Sequence, residues 1–457
     1  MAKKQDTYNC TECGWTSVRW VGRCGECQAW GTVVERGAPR LRAVASSVPT
    51  QQAVPISQVP TDSAQRKLTT IAELDRVLGD GLVPGAVVLL AGEPGVGKST
   101  LLLDVAAKWA RSGEKTLYIS GEESASQVRL RAERTGAVDD ELYLASETDL
   151  GTVLGHMEQV RPSLLVLDSV QTISAADADG APGGPSQVRE ITAAIARVAK
   201  RENMAAIIVG HVTKDGGIAG PRTLEHLVDV VLTFEGDRHS GFRMVRATKN
   251  RYGPADEVGC FEMSENGIVE VPDPSGLFTT AHNEPVPGTC VTVTLEGRRP
   301  LLAEIQALIA PSPQSSPRRT THGLDGSRIA MVLAVLERKV KLPLSAFDVY
   351  ASTVGGARVT DPSADLAAAV AIASAALDRH YPKRLLALGE VGLAGDLRRV
   401  PGAERRLAEA GRLGFELAII PTGSRDVTAR VPKLGNLRVV EVPTLADALG
   451  VLDLRRP

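Results

Sequence analysis

Gly92-Glu93-Pro94-Gly95-Val96-Gly97-Lys98-Ser99, followed by Thr100, is the stretch on which the reading of this chain turns. It fits G-x-x-x-x-G-K-[ST], a loop whose backbone N–H groups cradle phosphates. Both flanks agree. Residues 86–91 (AVVLLA) are apolar and β-branched, as in a buried parallel strand. Residues 100–112 (TLLLDVAAKWARS) are good helix formers at helical spacing. Strand, glycine loop and helix start follow one another, so free N–H groups point at a bound anion. In this reading Lys98 neutralises the β/γ-phosphates of a nucleoside triphosphate and Ser99 holds Mg²⁺.

The chain has 457 residues, which suggests two or three domains. Apolar residues make up 43% and aromatics only 4%, so the cores must be built from Ala, Val, Leu and Ile. A net charge of −2 gives no global basic field, and any nucleic-acid contact must use local patches. No apolar run is long enough to span a bilayer, and MAKKQDTYNC lacks the apolar core of a signal peptide. The expectation is a soluble, cytoplasmic protein.

Of six cysteines, four form two CxxC pairs, Cys10/Cys13 and Cys24/Cys27. Each pair makes a tight turn that aims two sulfurs at one point. Together they predict a closed S₄ site for structural Zn²⁺ over residues 1–32; rubredoxin-like iron is the alternative. Trp15, Trp20 and Trp30 are expected to pack this knuckle, with a nucleic-acid stacking role as the alternative. Residues 33–66, rich in Pro, Ser, Gln, Ala and Val, read as a flexible linker.

From about 67 to 270, apolar strands alternate with helical stretches: 86–91, 117–120, 164–168, 205–210, 230–234 and 242–248. This predicts an α/β domain with a largely parallel sheet and its ligands beyond the strand C-termini. Asp168, ending LLVLD, is placed to orient Mg²⁺ or its water shell. Glu122 and Glu123 follow the LYIS strand, where a carboxylate can polarise the attacking water. Glu122 is preferred, and an N-cap pair for the next helix is the bland reading. His211 is either a γ-phosphate sensor or a structural histidine. Two Gly-rich loops, 175–185 and Lys214 to Arg222, read either as grips on a strand's phosphates in a ring or as ordinary surface. Lys249-Asn250-Arg251-Tyr252-Gly253 follows the last strongly apolar strand. Its two cations, one residue apart on extended chain, are either fingers reaching a neighbour's γ-phosphate or an exposed charged turn.

From 271 to 457 a Pro-rich join introduces strands at 289–296, 300–309 and 417–420 and helices at 327–341, 365–377 and 403–413, an α+β pattern. Arg318, Arg319 and Arg328 read either as a solvated charged face or as a basic surface for duplex DNA.

In order and spacing, CxxC…CxxC, GEPGVGKST and KNRYG resemble the RadA (Sms) family of bacterial DNA repair proteins, along the whole chain. That family carries KNRFG, and Tyr252 stands at its aromatic position. The core is also similar to RecA and the DnaB-type helicases. Residues 271–457 resemble the Lon protease domain, with Ser363 in DPSAD at the position of Lon's serine. Glu404 stands where Lon has its dyad lysine, and Asp365 where it has a glycine. A carboxylate cannot replace that lysine, so protease activity is not expected, and Ser363 reads as a helix N-cap. The fold class implied is α/β: a RecA-like P-loop ATPase core, an N-terminal four-cysteine zinc finger and a C-terminal α+β Lon protease-like domain. The resemblance also implies a DNA-stimulated ATPase, hexameric on single-stranded DNA, that promotes branch migration of recombination intermediates alongside RecA. An ATP-dependent protease and an ATP-gated regulatory ring of the KaiC type are the alternatives weighed.

Overall fold

The computed structural model describes residues 8–35, 53–58, 65–211, 224–236, 241–280, 286–356, 358–381, 384–423 and 434–454. The chain forms two compact units, Met1–Pro60 and Thr61–Pro457.

In the first unit, β1 (Tyr8–Cys10) pairs antiparallel with both β2 (Thr16–Ser17) and β3 (Val33–Glu35). Val33–Glu35, assigned to the linker from composition, is therefore a strand of the knuckle sheet. The small core holds Cys10, Cys24 and Val33, with Tyr8, Trp15 and Val21 against them. Trp15 packs as expected, its indole so close to Gly25 that a β-carbon there would lie 2.7 Å away. Trp20 and Trp30 do not pack; they are 64% and 75% exposed.

The second unit opens with α1 (Ala72–Leu78), β4 (Val87–Gly92), α2 (Lys98–Arg111), β5 (Thr116–Ser120), α3 (Ala125–Arg134), β6 (Leu142–Ser146), α4 (Leu150–Val160), β7 (Leu164–Asp168), α5 (Pro185–Arg201) and β8 (Ala205–His211). Then follow β9 (Val230–Gly236), β10 (Phe242–Asn250), β11 (Val258–Ser264) and β12 (Gly267–Glu270). They form one sheet in the order β12-β11-β10-β9-β4-β8-β7-β5-β6. From β9 to β6 all pairings are parallel, and β10 to β12 are added antiparallel. Alternation along the strands splits the core in two. Val88, Leu90 and Tyr118 face the layer of α1, α2 and α3, while Val87, Leu89, Leu117 and Ile119 face that of α4 and α5. Both faces are apolar, which is why these strands read as continuous hydrophobic runs.

The rest of this unit comprises β13 (Thr289–Glu296), β14 (Arg299–Pro311), β15 (Arg319–His322), α6 (Gly326–Lys339), β16 (Phe347–Thr353), α7 (Asp365–Leu377) and β17 (Leu385–Ala387). After them come β18 (Glu390–Val391), β19 (Leu397–Arg398), α8 (Ala403–Arg412), β20 (Leu417–Pro421), β21 (Arg438–Val442) and α9 (Leu445–Val451). A mixed sheet, β15-β16-β14-β13-β17-β20-β21, has α6, α7 and α9 packed in one apolar layer and α8 in the other. The alanines of α7 are buried from Ala367 to Ala373, as suits a helix surrounded by protein.

A buried ion pair between Glu73 of α1 and Arg299 of β14 joins the two sheets' surroundings. Among the described residues no helix is long and apolar enough to cross a membrane.

Candidate nucleotide site and metal centre

The phosphate loop lies between β4 and α2, as its flanks predict. Two of its glycines are required by contact. A β-carbon at Gly92 would come 2.5 Å from the carbonyl oxygen of Phe234. Gly97 has φ +113°, and a β-carbon there would meet Met263 Sδ at 2.9 Å. No side chain caps α2, so its first N–H groups face the loop. Lys98, 4% exposed, donates from Nζ to the carbonyl oxygens of Gly92 and Glu93, each at 2.9 Å. Burial pulls its pKa below the usual lysine value, against the opposing pull of Asp168 and Glu122. Beside residues 92–96 lies a cavity of about 260 Å³, walled by Thr233 to Gly236 and by Arg243. Arg243 Nε donates to the Val96 carbonyl at 3.1 Å, a contact the sequence gave no reason to expect.

The other strand ends converge here. Ser120 pairs with Asp168, and Gly92 with His211, in parallel register. Asp168 is buried; Tyr118 Oη donates to its Oδ2 at 2.7 Å, while Oδ1 has no hydrogen-bond partner. A buried carboxylate oxygen left without a donor fits a hydrated divalent cation. Burial, then the Asp168 charge, pushes the Tyr118 phenol well above its ordinary value, so it stays a donor. Glu122 Oε1 accepts from Ser169 Oγ at 2.6 Å and lies 2.7 Å from His211 Nε2. Burial raises the Glu122 pKa, but these two hydrogen bonds outweigh it and hold the carboxyl below its usual range. Glu123 instead pairs with Arg131. The helix cap belongs to neither glutamate: Ser124 and Gln127 form a capping box. Ser169 and Tyr118, both unanticipated, complete the constellation.

The 175–185 loop is anchored from below. Buried Gln187 accepts from Ala175 N at 2.9 Å and donates to the carbonyls of Ala175 and Ala178. Lys214 and Arg222 lie outside the described residues.

Lys249, Asn250 and Arg251 are not brought to this site. Lys249 pairs with Val231, and Val231 with Leu89, three residues before Gly92 on β4. That is about 10 Å along the strands and about 9.5 Å across them from Gly92, toward the N-terminal ends of the parallel strands. Lys249 Nζ donates to the carbonyls of Glu225 and Val228, the latter at 2.9 Å. Burial, then Arg251, lowers its pKa. Arg251 donates to buried Asp229 at 3.0 Å. Asn250 Nδ2 donates to Leu78 O at 3.0 Å, closing the C-terminus of α1, and its Oδ1 accepts from Tyr252 N at 2.9 Å. Gly253 passes close over Gly79, with 3.0 Å left for a β-carbon.

The basic candidates on the C-terminal sheet are partly spent on their own domain. Arg319 donates to the carbonyls of Phe347 and Leu344, and the Arg318 main-chain N–H donates to Asp348 Oδ1 at 2.7 Å. Arg328 makes a two-pronged pair with Asp365, its Nε at 3.0 Å, which withdraws it from the proposed basic surface. Ser363 is fully buried and is not a helix cap; Asp361 caps that turn. Arg406, not Glu404, reaches it, donating to Ser363 Oγ at 2.7 Å while pairing with Asp361. A guanidinium stays protonated and cannot take the proton of a serine as a dyad lysine does.

In the knuckle, the four cysteine sulfurs lie within 4.8 Å of one another. Cys10 and Cys27 Sγ are 3.6 Å apart, and Cys13 and Cys24 Sγ 3.5 Å. Zinc bonded to four sulfurs at about 2.3 Å needs tetrahedral edges of about 3.8 Å, so these side chains fit the ion.

Comparison with known proteins agrees with this geometry. Residues 8–35 match the rubredoxin metal binding domain, residues 53–217 an AAA domain, and residues 355–424 the ChlI subunit of Mg-chelatase. The DNA repair protein RadA of Mycolicibacterium smegmatis is 55% identical over 449 residues, 96% of each chain. That of Mycobacterium tuberculosis is 55% identical over 93% of this chain and 90% of its own. That of Streptococcus pyogenes is 44% identical over 99% of this chain and all of its own. With an ATP-binding AAA domain, a four-cysteine zinc site and this similarity along nearly its whole length, the chain belongs to the RadA family of DNA repair proteins.

Proposed function

We propose that this protein is a DNA-dependent ATPase whose active site is completed by a second copy of the chain, in a six-membered ring like that of the DnaB-type helicases its core resembles, on single-stranded DNA. In this reading the N–H groups of residues 92–100 and Lys98 hold the phosphates of ATP. Ser99 and Asp168 would hold Mg²⁺, which would supply charge neutralisation of the phosphates. Glu122, oriented by Ser169 and His211, accepts a proton from the water that attacks the γ-phosphorus, and ADP departs. Lys249 and Arg251 stabilise the charge on the transferring group from the adjoining subunit.

The observation that carries this is the placement of the KNRYG cations. Lys249 lies three residues back along the strands and two strands across from Gly92, away from its own loop, which supports a role at a neighbour's nucleotide. The work done with ATP is then translocation along one strand, in part through the 214–222 loop, promoting branch migration of RecA-made strand-exchange products. RecA and branched DNA are the partners this implies.

The test is complementation. Lys98→Ala and Arg251→Ala should each abolish hydrolysis, and mixing the two should restore part of it, because one mixed interface has both intact halves. Single-stranded DNA should accelerate the wild type. A monomer that hydrolyses ATP at full rate, or mixtures as inactive as their components, would overturn the reading.

A further inference from the structure

The knuckle displays aromatic surface that its fold does not use. Trp15 is spent on the core, but Trp20 and Trp30 are 64% and 75% exposed, and Val18 beside them is 60% exposed. The two indoles meet over a single glycine: a β-carbon at Gly22 would lie 3.7 Å from one ring and 3.8 Å from the other. Arg23 and Trp30 face each other across an antiparallel bridge. The Arg23 guanidinium carbon stands 5.6 Å from the Trp30 ring centroid, within cation–π range. Arg19 adjoins Trp20 in sequence and is exposed. Neither arginine pairs with a carboxylate among the described residues.

Leaving two tryptophans in water is unfavourable by the hydrophobic term alone, so a patch of this kind marks a contact surface. Its chemistry selects the partner. The rings stand out on the surface instead of lining an apolar groove, and the Arg23 guanidinium stands over the Trp30 ring. Nucleobases stack on such rings whatever their identity, and arginines at the rim meet the phosphates.

We propose that Trp20 and Trp30 form a base-stacking platform, flanked by Arg19 and Arg23, that binds single-stranded nucleic acid without sequence preference. This rests on the reading that the protein works on single-stranded DNA and adds a second, ATP-independent contact to it. Zinc then acts as the rigid mount that holds the two rings side by side.

The experiment uses the full chain and fluorescein-labelled oligothymidylate, read by anisotropy with and without a non-hydrolysable ATP analogue. The double substitution Trp20→Ala/Trp30→Ala should weaken binding roughly tenfold or more, most visibly without nucleotide. Trp20→Phe/Trp30→Phe should stay within about threefold, since phenyl rings also stack. One zinc per chain in every variant shows that the knuckle has folded. Alanine variants that bind the oligonucleotide like the wild type overturn the platform. So do variants that keep DNA affinity but lose binding to RecA filaments, which would make the patch a protein-docking face. In both cases DNA-stimulated hydrolysis by the wild type leaves the motor reading standing. A wild type that neither binds the oligonucleotide nor responds to it defeats both.

Discussion

Oε1 of Glu122 lies 2.7 Å from Nε2 of His211, across the C-terminal ends of β5 and β8, and the same oxygen accepts from Ser169. One carboxylate is thus fixed by two donors from the neighbouring strands, with the buried Lys98 amine close enough to act on its charge. Glu122→Gln keeps the shape but removes the basic oxygen. Turnover should fall by about 10²–10³-fold, with Mg-ATP affinity changed little. Single-turnover rates beside nucleotide titrations separate the two; a variant that still hydrolyses at more than a tenth of the wild-type rate removes Glu122 as base.

The same contacts set a pH dependence. They hold the Glu122 carboxyl below its ordinary value, so the base is ionised, and active, down to pH values below the usual carboxylate range. Removing a donor raises the pKa toward that range. In Ser169→Ala and His211→Ala the acidic fall of kcat should therefore begin at higher pH than in the wild type. An acidic limb that stays in place would mean these donors do not act on the base.

Tyr118 and Asp168 form a buried pair, the phenol donating to one carboxylate oxygen and leaving the other without a protein donor. Tyr118→Phe leaves Asp168 with both oxygens unpaired in an apolar layer. The Mg²⁺ concentration for half-maximal hydrolysis should rise several-fold, and stability should fall by about 1–3 kcal/mol. Titrating Mg²⁺ at fixed ATP, with a melt of the nucleotide-free protein, checks both. An unchanged Mg²⁺ requirement would detach Asp168 from the metal.

Zinc removal should act on one unit only. The knuckle core is only Cys10, Cys24 and Val33 with Tyr8, Trp15 and Val21 against them, and 28 residues cannot fold on such a core without the ion. Cys24→Ser should release the metal and unfold residues 8–35, while ATP binding in the second unit persists. Loss of ATP binding together with zinc would contradict the division at residue 60.

What could be foreseen from the sequence follows physical rules. The phosphate loop and its flanking strand and helix were legible because sterics and phosphate charge fix four positions within eight residues. The inner strands of the large sheet were legible because both their faces are buried. β6, at the sheet edge, was not foreseen: Leu142–Ser146 is a short LYLAS segment, only half-buried, and lacks the long β-branched run of the inner strands. Tyr118, Ser169 and Gln187 were missed because polar partners meet through tertiary contact, which leaves no period in the chain. Glu404 was matched to the Lon lysine by position, yet Arg406 is the residue that reaches Ser363. Two steps along a helix turn the side chain by about 200°, so these neighbours face opposite ways. The tryptophans of the knuckle were assigned to packing by residue type, but a unit this small can bury only one of the three.

The Glu73–Arg299 pair yields the last prediction. Both side chains are almost wholly buried, at 2% and 5% exposure. Glu73 also accepts from Cys260 N at 2.8 Å, and Arg299 donates to the carbonyls of Val258 and Pro272. The pair therefore ties α1, β11 and the strand leading into the C-terminal sheet. Helix α1 is the one whose C-terminal carbonyls are held by Asn250, between Lys249 and Arg251. Removing either partner strands a charge in low dielectric, so Arg299→Ala or Glu73→Ala should cost about 3–5 kcal/mol. The double variant Glu73→Met/Arg299→Met leaves no stranded charge and should recover most of that loss. It cannot replace the hydrogen bonds that orient α1 against β11. If α1 transmits the position of the C-terminal domain to the KNRYG segment, the double variant should be nearly as stable as the wild type yet slower in ATP turnover, with nucleotide affinity unchanged. Denaturant unfolding measured beside steady-state hydrolysis tests this; a stable double variant with wild-type turnover would confine the ion pair to a purely structural role.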